Sequence, residues 1–181
     1  MIPLLVALAC VHTPPHDPIA GAWQKDFARK EEMRASGDYC SWEAESLVYD
    51  GRRIWGADPP DGENWCGTPS EVSLAFDPLL QDGPFLSSRT EELGCCPARA
   101  TMQCVTWNLM TGKAATLVEY DDKRAETRWE EAQAIAAGPG WEGYRITQDE
   151  FLLVEGGHVA FCAVPKMGAK TASDIREIVV K

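Results

Sequence analysis

The sequence predicts an α+β fold: a mainly antiparallel sheet of about seven strands with two helices, stapled by disulfides. Three observations carry this. Short alternating apolar runs are joined by hairpin-type turns, Asp50-Gly51 and Glu155-Gly156-Gly157, and do not alternate with helices. Only two stretches have helical character, residues 23–36 and 122–137. Seven cysteines occur in 181 residues.

Taken in order, residues 1–10 form a short apolar segment and residues 11–22 a Pro-rich tether, with Pro14, Pro15 and Pro18 favouring an extended linker. Residues 23–181 are expected to form one globular α+β domain. Trp23 to Ser36 reads as a helix, with Trp23 and Phe27 on one face and Gly37 placed to end it. Tyr39–Tyr49 alternates through Cys40, Trp42, Ala44, Ser46 and Val48 as a strand should. Asp50-Gly51 turns it into a return strand, Arg52–Trp55. Residues 56–70 read as a long loop whose acidic run lacks calcium-loop spacing. Glu71–Asp77 alternates as a half-buried strand, and residues 78–100 read as irregular. Met102–Leu109 and Lys113–Tyr120 are two further strands. Residues 122–137 are the clearest helix, capped by Asp121 or Asp122, striped by Ala125, Trp129, Ala132 and Ala136, and stopped by Gly138-Pro139. Phe151–Val154 and His158–Val164 form a hairpin, and Ile175–Val180 is a last β-branched strand.

Composition narrows the function. The hydrophobic share is 45% and the charged share 25%, enough for a sizeable core. The formal net charge of −11 repels phosphate, so no nucleic-acid partner is expected. No apolar run is long enough to cross a bilayer as a helix. The N-terminal run Met1–Ala9 ends in Ala7-Leu8-Ala9-Cys10, which resembles the lipobox of bacterial lipoproteins. That resemblance implies removal of Met1–Ala9, lipidation of Cys10, and residence at the periplasmic or outer-membrane face of a bacterial envelope. Setting Cys10 aside leaves Cys40, Cys66, Cys95, Cys96, Cys104 and Cys162, an even set that can pair completely. Fifteen connectivities are open, although adjacent Cys95 and Cys96 favour two different partners. A zinc site from Cys66, Cys95, Cys96 and Cys104 is the rival reading, without the usual Cys-x-x-Cys spacing. No cofactor or metal is expected.

The common catalytic motifs are absent: no Gly-x-Ser-x-Gly, no P-loop, no His-Glu-x-x-His, no Gly-x-Gly-x-x-Gly. His158 is the one histidine expected inside the domain, since His12 and His16 fall in the tether. Carboxylate pairs remain open to glycoside hydrolysis: Glu43 with Glu45, or Asp121, Asp122, Glu130 and Glu131. Of seven tryptophans, Trp55, Trp65 and Trp141 stand beside Gly or Asn in loops, where exposed rings could stack on sugars or anchor a partner. Val105–Leu117, with its Met110-Thr111-Gly112-Lys113 turn, resembles a hairpin in a C-terminal domain shared by envelope deacetylases and lysozyme-sensing anti-sigma factors. The expectation is an envelope-anchored lipoprotein with a binding or structural role toward an envelope protein or glycan. The alternative is a glycan-acting hydrolase using paired carboxylates.

Overall fold

A computed structural model describes residues 23–33, 35–37, 39–58, 72–94, 99–168 and 174–181. The lipobox-like segment, the tether, Trp65, Cys66, Cys95 and Cys96 lie outside them. The described residues carry eleven strands and two helices, in a seven-stranded and a four-stranded sheet, so the expected class holds and the expected strand count is too low.

The first element differs from the sequence expectation. Trp23–Met33 is a strand, β1, paired antiparallel along its whole length with β2 (Tyr39–Tyr49). The cause is a periodicity shared by two structures. Residues four apart share a face in a helix and also in a strand, so Trp23 and Phe27 could not discriminate. Tertiary pairing decides: Lys25 meets Glu45 at 2.8 Å and Arg29 meets Glu43 at 3.1 Å across the strands, while Trp23 packs edge-on against Phe76.

β2 turns into β3 (Arg52–Trp55) through Asp50-Gly51, whose φ values of 51° and 69° are those a type I′ turn requires. β4 (Val72–Asp82) runs parallel to β2 at Trp42–Ala44 and antiparallel to β5 (Phe85–Gly94). β6 (Arg99–Asn108) and β7 (Lys113–Ala114) complete the large sheet. Residues 78–100, expected to be irregular, are therefore mostly strand. Two features hid them. Pro78 lies within β4, where a register shift between Pro78 and Leu80 accommodates its missing N–H. Most of the buried side chains of β5 are hydroxyls, with Ser87 and Ser88 fully buried and Thr90 nearly so beside Leu86.

The expected strand at Lys113–Tyr120 ends at Ala114. Thr116 opens a helix instead: its hydroxyl accepts from the Glu119 N–H at 3.2 Å, and the Glu119 carboxylate accepts from the Thr116 N–H at 2.7 Å. That helix, α1 (Leu117–Asp121), leads into α2 (Ala125–Ala136). No side chain caps α2; its N-cap position is Arg124, and the two aspartates expected there serve otherwise. The small sheet follows: β8 (Tyr144–Arg145), β9 (Phe151–Val154), β10 (His158–Pro165) and β11 (Arg176–Val180), with β10 central.

Two large apolar clusters result, with two smaller ones where the sheets meet: Leu152 and Ala160 around Cys104 and Cys162, and Met102 against Val164. Leu47, Phe76, Leu86, Trp107 and Leu109 pack within the large sheet, and Leu117, Ala132, Phe151, Phe161 and Ile178 pack under the helices. Polar groups and a disulfide join the sheets between them. Cys104 on β6 is bonded to Cys162 on β10. Thr106 Oγ1 donates to the Phe151 carbonyl at 2.7 Å and lies 2.8 Å from Ser87 Oγ, which accepts from the Leu153 N–H at 2.7 Å. Thr106→Val preserves shape but orphans the Phe151 carbonyl. It is expected to cost about 1–3 kcal/mol in urea unfolding, with Thr106→Ser costing less. A loss below a few tenths of a kcal/mol would show that this hydrogen bond is not formed.

Candidate ligand cleft

α1 lies against the β4–β5 hairpin, and Tyr120 makes the polar contact between them. Tyr120 donates its phenol proton to Asp82 Oδ2 at 2.9 Å, with its ring edge-on to Phe85 at 5.4 Å. Burial, and then the Asp82 carboxylate, push the Tyr120 phenol up to about 12, so it stays a protonated donor at neutral pH. Tyr120 and Asp82 stand between two depressions. One, of about 270 Å³, is lined by Asp82, Pro84, Phe85, Glu119, Asp121 and Arg124. The other, of about 320 Å³, is lined by Leu80, Gln81, Val154, Glu155 and the Gly156-Gly157 turn.

Every carboxylate in the first depression has a partner. Asp82 accepts from Tyr120, and Glu119 holds the N-terminus of α1. Asp121 accepts from Arg124 Nε at 2.8 Å and lies 3.1 Å from Arg128 Nη1. Arg128 is 1% exposed. Its Nη2 donates to the Gly157 carbonyl at 2.6 Å and its Nε to the Lys181 carbonyl at 3.2 Å. Its contact with Asp121 is ionic, without hydrogen-bond alignment. Burial and the nearby Arg124 charge lower its pKa, while Asp121 opposes the shift. One guanidinium thus ties α2, the β9–β10 turn and the end of β11 to the floor of the cleft.

Of the residues singled out from sequence, Asp121 lines the cleft and the others fall elsewhere. Trp55 ends β3 half-buried, 5.8 Å from the Phe76 ring, so it packs inward. Trp141 is half-buried beside Tyr144, and the Arg176 guanidinium covers its face at 4.2 Å. These two rings belong to different clusters and form no common platform. Glu43 and Glu45 do share a side of β2, each ion-paired to β1, and Glu45 also accepts the Phe76 N–H at 2.8 Å. Asp122, Glu130 and Glu131 are exposed. His158 is half-buried beside Gly156, and no described hydroxyl or carboxylate bonds its ring. Cys40 is disulfide-bonded, as are Cys104 and Cys162. Among the described residues no cluster of His, Cys, Asp and Glu is arranged to hold a metal, and no helix is long and apolar enough to cross a membrane.

Sequence reading missed Asp82, Tyr120 and Arg124 as cleft residues. The signals present were the Thr116-x-x-Glu119 capping box, which starts a helix where a strand was read, and the Asp82-Gly83-Pro84 turn. It also missed Arg128, which shares its buried stripe with Ala125 and Ala132.

No protein-family model matches this sequence, and no curated protein does. A solved structure does: a member of the DUF3298 family from Bacteroides fragilis NCTC 9343 superposes with a TM-score of 0.50. It covers 89% of this chain and 90% of its own, at 10% sequence identity, so the likeness is one of fold.

Proposed function

We propose that this chain is a lipid-anchored protein of a bacterial cell envelope, and that its role there is to bind an envelope protein or glycan. The observation that carries the binding role is the cleft beside Tyr120. Its walls are set by ion pairs and hydrogen bonds, and its carboxylates are spent on structure, an arrangement suited to recognition by fixed acceptors. The anchor rests on Ala7-Leu8-Ala9-Cys10, the location on the same segment, and the β6–β7 hairpin supports both through its resemblance to envelope-facing domains.

Two measurements test this. Expressed in a bacterial host, the wild-type chain should partition into detergent and Cys10→Ser should release it. A soluble wild type that keeps Met1–Ala9 by mass spectrometry overturns the anchor. Soluble peptidoglycan fragments and envelope extracts should quench or shift the fluorescence of the Cys10→Ser chain, and Tyr120→Ala should weaken that response at least tenfold. A response unchanged by the substitution removes the cleft from the binding role.

The second reading is hydrolysis of glycan by paired acids. It is favoured by one fact: Asp82, Glu119 and Asp121 line a single groove. A measurable wild-type rate on peptidoglycan, lost in Asp82→Asn or Asp121→Asn but kept in His158→Ala, would make the protein an enzyme.

A further inference from the structure

β1 is the outer strand of the large sheet, and among the described residues it pairs with β2 alone. It is eleven residues long, an edge of about 36 Å, and such an edge is a template for another strand. The Phe27 N–H shows which residues face out. It donates to the Asp26 carboxylate at 2.9 Å, so it is turned away from β2. Odd-numbered residues of β1 therefore present their N–H and C=O groups at the edge away from β2, which no described strand pairs, and even-numbered residues bond β2.

This parity restricts self-pairing. In an antiparallel pair about a two-fold axis, outward residues must oppose outward residues, so the axis must pass through a residue and never between two. The charges then discriminate among the centres. An axis through Phe27 opposes Lys25 and Arg29. An axis through Arg29 opposes Arg29 to itself and Asp26 to Glu32. Axes through Lys25, Asp26, Lys30, Glu31 or Glu32 oppose a charge to itself. An axis through Ala28, the middle of the strand, opposes Lys25 to Glu31 and Asp26 to Lys30, twice each, with no like pair. It also sets Phe27, 58% exposed, opposite Arg29, and Met33, 74% exposed, opposite Trp23. The residue on the axis falls at a non-hydrogen-bonded position, where Cα atoms approach to about 4.5 Å and a small side chain fits.

We infer that the partner of this edge is a second copy of the chain, joined β1 to β1 antiparallel about Ala28 into one continuous fourteen-stranded sheet, twice the seven strands of one copy. The opposed charges select the register, with Lys25 shared with Glu45, and Glu31 with Arg29 and Tyr39, of the same copy, and the backbone of the odd residues supplies the hydrogen bonds.

The test uses the full chain carrying Cys10→Ser, secreted so that its disulfides form. Sedimentation equilibrium at micromolar concentration should give a dimer. Asp26→Lys, which opposes the new ammonium to Lys30 twice, should weaken dimerisation at least about tenfold, and Asp26→Lys with Lys30→Asp should restore it. Ala28→Cys should give a dimer cross-linked by a disulfide between the two introduced thiols, found by peptide mapping. Lys30→Cys should not, because those positions lie about 13 Å apart in the paired strands. Circular dichroism checks that each variant folds. A monomer with no Ala28→Cys link would make the charges of β1 a guard against pairing and overturn the inference. So would a dimer indifferent to Asp26→Lys and unlinked by Ala28→Cys, since it would use another surface.

Discussion

Arg128→Ala is expected to lower the unfolding free energy by roughly 3–5 kcal/mol, the largest effect expected of a single substitution. The side chain is 1% exposed and serves three elements: the Gly157 and Lys181 carbonyls and the Asp121 carboxylate. Truncation leaves a void under α2 and two carbonyls unpaired, and it removes one of the two cations beside Asp121, itself 16% exposed. Arg128→Lys should recover little, because an ammonium cannot reach three acceptors lying in the directions of a planar fork. Arg128→Met should fall between, filling the volume without satisfying the acceptors. Urea unfolding followed by tryptophan fluorescence measures all three. A loss under about 1 kcal/mol for the alanine variant would mean that the guanidinium contributes little to holding these elements together.

The second large effect belongs to the Cys104–Cys162 bond. It closes a separation of 58 residues and joins the central strand of the small sheet to β6 of the large one. Loop-closure entropy over that separation corresponds to about 4 kcal/mol at room temperature. A domain whose total stability is of order 5–15 kcal/mol would lose a large part of it in the Cys104→Ala, Cys162→Ala double variant. Both cysteines are buried, at 1% and 0% exposure, so a reductant should cleave the bond only when the sheets part. Alkylation of Cys104 under reductant should therefore speed up with added urea in step with unfolding. Rapid alkylation in the absence of urea would show that the sheets separate locally.

The fold was legible where a local signal was sufficient by itself. Asp50-Gly51 and Gly156-Gly157 force positive φ, and the hairpins they turn were read at nearly their final bounds. The apolar run of β10 and the Val-rich β11 were equally plain. It was illegible where a distant partner decides. β1 is a charged segment that any local scale reads as helix, and its conformation is set by eleven cross-strand pairings with β2. β5 buries serines and a threonine, a pattern with no apolar alternation to detect, and the groups that satisfy the two serines lie on β6 and β9. The cleft failed for the same reason. Asp82 and Tyr120 are 38 residues apart, and nothing near either one announces the other. Cysteine parity, by contrast, needed no geometry to favour disulfides, and Cys40, Cys104 and Cys162 are all bonded.

The hydroxyl seam between the sheets has a consequence for how the two halves find each other. Two greasy surfaces can slide by a pair of residues, nearly 7 Å along a strand, and still bury similar area. Here the Phe151 carbonyl must land on Thr106, and the Leu153 N–H on Ser87. Slippage by one pleat leaves these groups dry and unbonded, so misaligned docking is rejected even where apolar contact is nearly as good. The seam works as an index mark: it adds little to the depth of the native well but removes its neighbours. Its two hydroxyls stand opposite each other in the β5–β6 register, so the mark exists only where those two strands are paired.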